Sequence, residues 1–229
     1  MSHSRRLLFT LALTTLMSLS FFAASGCAGA LMMPYYLIYG TDAPAKYKKV
    51  VKDIPKGSTI VVICRSNLNL YGSSSPNADL SQALTYVLST QMTDVKKKKF
   101  VWISYDEDES KFEEDELTSQ SFEKLGNALK ADYVVGVEID DFDVHHSTQF
   151  YQGKAKVLVR LVDVKNAETV TKDSMPTYVY PPTPIPSSDY DELEFQKTFI
   201  TRLAKHIGTL FCPHDPHEEY AADSDFPER

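Results

Sequence analysis

The sequence predicts an α/β fold of the mixed-sheet, α+β kind: one domain of order β-α-β-α-β-β-β-α, with helices packed on a mixed sheet of four to five strands. Three observations carry this. Ala131 to Asp140 and Gly153 to Val164 alternate apolar and polar residues with a period of two, the mark of strands with one dry face. Thr59-Ile-Val-Val-Ile-Cys64 is a continuous β-branched run, which suits a strand buried on both faces. Between the first strands the period changes to three and four, so helices make those crossovers.

In chain order, Thr59 to Cys64 opens the domain, and Asn67 to Asn77 is a loop rich in Gly, Ser and Asn. A helix follows, with Asn77 or Asp79 as its cap and Leu80, Leu84, Val87, Leu88, Met92 and Val95 on its core face. Phe100 to Tyr105 is the second strand. Lys96 to Lys99 precedes it, and Asp106 to Glu116, with eight carboxylates in eleven residues, comes after it. Leu117 to Lys130 is a second amphipathic helix with Leu117, Leu125 and Leu129 inward.

The central pair comes next. Tyr133, Val135, Val137 and Ile139 form one face of the first strand, and Ala155, Val157, Val159 and Leu161 one face of the second. The reverse face carries Glu138 and Asp140 opposite Lys156 and Arg160, and opposite charges across two strands fix register. Glu168 to Asp173 is placed to turn back as a further strand. Pro176, Pro181, Pro182, Pro184 and Pro186 then forbid central pairing, so that stretch reads as an extended edge or a polyproline segment. Asp189 to Phe211 is the longest helix, capped by Asp189, with Leu193, Ile200, Leu203, Ile207 and Leu210 inside. Closely joined late strands run antiparallel, whereas strands joined through helices can run parallel.

The N-terminus sets the compartment. Arg5-Arg6 is followed by an apolar stretch from Leu7 to Phe22 and then by small residues up to Cys27, the layout of a secretory signal. Ala24-Ser25-Gly26-Cys27 resembles the bacterial lipobox, whose cysteine is lipidated and becomes the mature N-terminus. The competing reading is an uncleaved anchor. No charged residue occurs between Arg6 and Asp42, and a bilayer core of about 30 Å needs roughly 20 apolar residues. Gly26, Gly29 and Pro34 interrupt that run. Either reading places the domain in the cell envelope, facing the periplasm or exterior. The expected division is 1–26 signal peptide or anchor, 27–58 membrane-proximal linker, 59–212 α/β domain and 213–229 disordered acidic tail.

Charge and motifs exclude more than they identify. A net charge of -7 opposes nucleic-acid binding, which depends on basic surface. Neither a phosphate-cradling Gly-Lys-Ser/Thr loop, nor His-Glu-x-x-His, nor Gly-x-Ser-x-Gly occurs, and no cofactor or small-molecule substrate is evident. Ser73-Ser74-Ser75 reads as a flexible loop. Asp106, Asp108 and Ser110 have calcium-loop spacing, but Lys111 stands where that loop needs Gly. Asp141, Asp143, His145 and His146 gather near a strand end, and Cys212, His214 and His217 have ligand-like spacing. These two groups are the candidates for a metal-binding or hydrolytic role. Strand-end polarity and a structured helix exit are the plainer readings. With Cys27 lipidated, Cys64 and Cys212 remain, and in an oxidising compartment they could pair.

Leu125-Gly126-Asn127-Ala128-Leu129-Lys130-Ala131-Asp132-Tyr133, running into Val134-Val135-Gly136, resembles the helix-to-strand signature of the TolB N-terminal domain and of CsgG- and LpoB-type envelope lipoproteins. Val159-Arg-Leu-Val-Asp-Val164 and the closing helix fit the same pattern. Tyr151 to Ala155, Tyr180 to Pro182 and Phe211 to Asp215 more closely resemble planctomycete lipoproteins. The resemblance spans roughly Thr59 to Asp215. It implies the small α/β domain and no known activity, in a fold that docks onto other envelope proteins. The expected role is therefore a non-catalytic interaction domain with an envelope protein partner, tethered at Cys27. Cys27→Ser is expected to abolish incorporation of a labelled fatty acid into the protein; labelling that persists in this variant rules out the lipid anchor.

Overall fold

The computed structural model describes residues 42–66, 76–96, 100–104 and 121–216. The signal segment with Cys27, the stretch to Gly40, the serine cluster, the acidic run, Leu117 and the tail from 217 lie outside them. From Ala43 onward the chain is one compact unit.

β1, Thr59–Ser66, is the strand that both helical layers share. Val61, Val62 and Ile63 are fully buried, as a β-branched run with two dry faces requires. Parallel neighbours flank it: β2, Val101–Ser104, on one side and β3, Tyr133–Ser147, on the other. β4, Phe150–Asp163, pairs antiparallel with β3, and β5, Glu168–Ser174, antiparallel with β4. The order is β2-β1-β3-β4-β5, in a mixed sheet that counts six strands with β6, Tyr178–Pro186. Fold class, the parallel start and the antiparallel finish agree with the sequence.

One face is covered by α2, Pro76–Lys96, and α4, Glu192–Gly208. Val135, Val137 and Ile139 of β3 and Val157, Val159 and Leu161 of β4 meet Leu84, Leu88, Phe199 and Leu203 there in the larger of two apolar clusters. A short α3, Phe122–Ala128, covers part of the opposite face over Val61, Ile63, Val134 and Val162. Ser121 caps α3, its hydroxyl accepting from the Lys124 N–H.

The local signature has a structural reason. A Cβ on Gly126 would come within 2.6 Å of Val134 and Val164, so only glycine lets α3 lie this close to the sheet. Asp132 then ties three segments: its carboxylate accepts from the Thr59 N–H at 2.7 Å, its N–H donates to the Thr59 carbonyl, and its carbonyl accepts from Val164.

Several expectations are corrected. The stretch read as a linker contains α1, Lys48–Asp53, whose Val51 is buried with Ile54 just beyond it. Ala43 exchanges two backbone hydrogen bonds with His214, and Tyr47 donates to Leu210. Two turns of helix among five lysines leave too short a periodicity to stand out. The proline stretch is the extended edge the sequence offered: β6 pairs with β4 at the sheet edge, where a missing N–H is tolerated. α2 begins at Pro76, so Asn77 and Asp79 lie in its first turn. α3 is shorter than Leu117 to Lys130. Asp191, not Asp189, caps α4, accepting from the Glu194 N–H at 3.1 Å. Leu193 is 47% exposed, and Phe195 and Phe199 occupy the core instead.

Phe199 sits directly against the backbone of Gly153 on β4. Gly153→Ala must push that ring away, which is expected to cost about 1–3 kcal/mol. A urea midpoint equal to that of the unmodified protein would falsify this packing.

Candidate functional site

The carboxylate-histidine group lies within β3 rather than in a loop after it, because the β3–β4 hairpin continues to Ser147. Irregularities in the ladder between Ile139 and Ser147 re-aim its side chains. Asp141 stands opposite Lys156 and Asp143 opposite Lys154. Asp143 accepts from the His145 backbone N–H at 2.9 Å. The His145 ring lies edge-on to Tyr151, 3.9 Å from the Asp143 carboxylate and 3.8 Å from that of Glu192. His146 is exposed beside it. All these groups are at the surface, where such pairs contribute little. Among the described residues, no three His, Cys, Asp or Glu side chains come together as a metal site.

The second group also disperses. Cys212 is buried in the large cluster, His214 is held by its backbone against Ala43, and His217 lies outside the described residues. The bond considered between Cys64 and Cys212 is not formed: both are free thiols. Burial pushes the Cys212 thiol up to about 12 and holds that of Cys64 well above its ordinary range. Burial thus disfavours the thiolate, the nucleophilic form, at both positions.

On the reverse face, Glu138 sits between two arginines. One carboxylate oxygen pairs with Arg65 from β1, and the other accepts from Arg160 on β4 at 2.5 Å. The Arg65 guanidinium also lies 4.2 Å from the centre of the Phe122 ring, joining this network to α3. It bridges three adjacent strands and one helix, which is structural work.

Two surface features remain once this chemistry is placed. The first is β6. Tyr180 is 2% exposed and Pro181 is buried, while Val179, Pro182, Thr183 and Pro186 face outward. The Gln152 amide donates to the carbonyls of Pro181 and Pro182, each at 3.1 Å, which pins the strand to β4. The second is a cleft at the end of α4. Arg202, Lys205 and His206 of α4 and its C-cap Thr209 line it, with Gln91 from α2, Tyr178 from β6, and His214 and Asp215 from the exit segment. Sequence reasoning missed it. The spacing of Arg202, Lys205 and His206 was the available signal, but it reads equally as the solvated face of an amphipathic helix.

No family model and no curated protein matches the chain. Among solved structures it is similar to the PelC dodecamer from Paraburkholderia phytofirmans, at 11% identity over 69% of this chain and 92% of that one, with a TM-score of 0.39. It is similar to the LpoB C-terminal domain from Salmonella enterica, at 13% identity over 58% and 91%, TM-score 0.35. It is also similar to the lipoprotein GNA1162 from Neisseria meningitidis, at 10% identity over 67% and 98%, TM-score 0.33. Among the described residues, no helix is long and apolar enough to cross a membrane.

Buried, protonated thiols should resist alkylation. Native protein at pH 8 is expected to leave Cys64 and Cys212 unmodified by iodoacetamide, and denaturation without reductant to expose both. Peptide mass spectrometry reads the sites; modification in the native state, or a disulfide after denaturation, contradicts the burial.

Proposed function

We propose that the protein is a lipoprotein of the cell envelope, tethered through Cys27 after removal of residues 1–26. Its domain faces the periplasm or exterior and docks another envelope protein without catalysis. Cys27 in its lipobox-like setting supports the tether. The docking role rests on β6. Here the sheet edge and the proline-rich segment are one strand.

β6 is pre-organised for binding. An extended segment with prolines at 181, 182, 184 and 186 has little conformational freedom left to lose on binding. Tyr180 inside and the two Gln152 hydrogen bonds hold it in place. Val179 is 39% exposed, and Pro182 and Pro186 are exposed further along the same strand. The prolines also remove donors from the outer edge, which blocks indiscriminate strand addition while leaving side-chain recognition open. The partner this fits is a protein groove lined by aromatic side chains, which grips extended proline-rich segments.

A photo-crosslinking residue at Thr183 in the full chain, in its own membrane, is expected to give one discrete protein adduct. The same probe at Glu123 on α3 should give none. Val179→Asp should abolish the Thr183 adduct while leaving the unfolding free energy from urea titration within about 0.5 kcal/mol of the unmodified protein. Equal adducts from both probes, or an adduct indifferent to Val179→Asp, removes β6 as the docking element.

A further inference from the structure

α1 and its flanks carry charge that neither the core nor the docking strand uses. From Asp42 to Ser58 the chain holds five lysines and two aspartates, against a net charge of -7 overall. All five lysines are exposed, while Val51 and Ile54 carry the buried side of the segment. Lys46 pairs with Asp173, and Lys52 also has a partner. Among the described residues, Lys48, Lys49 and Lys56 form no ion pair.

A solvated helix face is the plainer account of these lysines, and their placement opposes it. Lys48 and Lys49 stand in the first turn of α1, which has no acidic residue, at the positive end of the helix dipole. Lys48 and Lys52 are like charges four residues apart. Both placements weaken a helix, and a face kept for solubility would mix the two signs. An anionic surface laid against the lysines offsets both penalties.

The segment is also firmly mounted. The Tyr47 N–H donates to the Leu210 carbonyl at 2.8 Å, and its hydroxyl donates to Asp173 at 3.2 Å. Its ring packs on Phe211 with centroids 5.9 Å apart, and Ala43 exchanges two backbone hydrogen bonds with His214. The lysines therefore belong to the compact unit that begins at Ala43, and whatever they rest on fixes the orientation of that unit.

We propose that Lys48 and Lys49 of α1, with Lys56 in the turn before β1, rest on anionic lipid headgroups of the membrane that holds the protein. This rests on the tethered-lipoprotein reading. The run from Lys46 to Lys56 supplies the first positive charges after Arg6, and α1 begins 21 residues beyond Cys27. The tether supplies attachment, so a weak second contact acts at high effective concentration and decides orientation. Each lysine near an anionic leaflet strengthens that contact by about fivefold.

The test uses the processed protein purified from its membrane and reconstituted into vesicles of phosphatidylcholine, with or without phosphatidylglycerol. A membrane-impermeant amine reagent labels exposed lysines, and mass spectrometry reads each site. Lys197, exposed on α4, is the internal standard. Labelling of Lys48, Lys49 and Lys56 relative to Lys197 is expected to fall about fivefold when phosphatidylglycerol is present. High salt should restore it, and native membranes should give the same protection. Lys48→Gln combined with Lys49→Gln should remove the protection of Lys56. Equal labelling in the two lipids, or Lys56 still protected in the double variant, overturns the contact. Protection in native membranes alone assigns the face to an acidic protein and overturns it too. Intact mass reports the lipid on Cys27 separately: protection without that lipid removes the tether reading and upholds the headgroup contact. A chain that floats with neither vesicle removes both.

Discussion

The structure depends on one dry contact: the apolar faces of β3 and β4 pressed against α2 and α4. Val135, Val137, Ile139, Val157, Val159 and Leu161 are each at most 2% exposed. Side chains alternate along a strand, so a slip of one residue would send all six to the other face and bring the charged set inward. Burying such side chains is worth about 1.5–3 kcal/mol each, so register here follows from the largest favourable contribution in the domain. The Glu138 carboxylate, clamped between Arg65 and Arg160, then marks the same register from the opposite side. Removing one partner would leave a charge facing half-covered apolar surface, so the network specifies alignment more than it adds stability.

The two faces of the sheet are unequal. Among the described residues, two long helices close one side, while the other has the seven residues of α3 and beyond them a ladder of charges. Helix α3 manages this by lying close, which Gly126 permits, and by delivering the chain into the Asp132 junction. That junction joins the start of β1 to the end of β4, so the helix-to-strand signature is a hinge pin for the parallel and antiparallel halves of the sheet. Its chemistry is spent on backbone hydrogen bonds.

The same pattern holds for most groups that looked reactive. Both thiols beyond Cys27 are buried and protonated, and the acid-histidine group is distributed along a solvent-facing strand. Among the described residues that polar chemistry is absorbed by register, caps and surface, and the surfaces proposed for binding lie apart from it. Those surfaces arise where chain segments far apart in sequence meet: β6 laid along β4 and braced by Gln152, and the α1 segment held against Leu210 and His214 after α4.

The sequence by itself determined the class, the order of elements apart from α1 and β6, the parallel-then-antiparallel switch and the residues of the dry face, because periodicity and β-branching are local properties. Val61 to Ile63 and the Leu80–Leu84–Leu88 row were legible for that reason. Tertiary structure decided what depends on neighbours. The connector around Val51 became a helix because Ala43 and Tyr47 found partners at His214 and Leu210. The proline segment became a strand because β4 had an open edge to receive it. Asp191 took the cap from Asp189, and Phe195 and Phe199 displaced Leu193, because the rings fill the hollow over Tyr151, Gly153 and Tyr178. The cleft was hidden because its walls lie more than a hundred residues apart from Gln91 to His214, and no local pattern reports a meeting at that range.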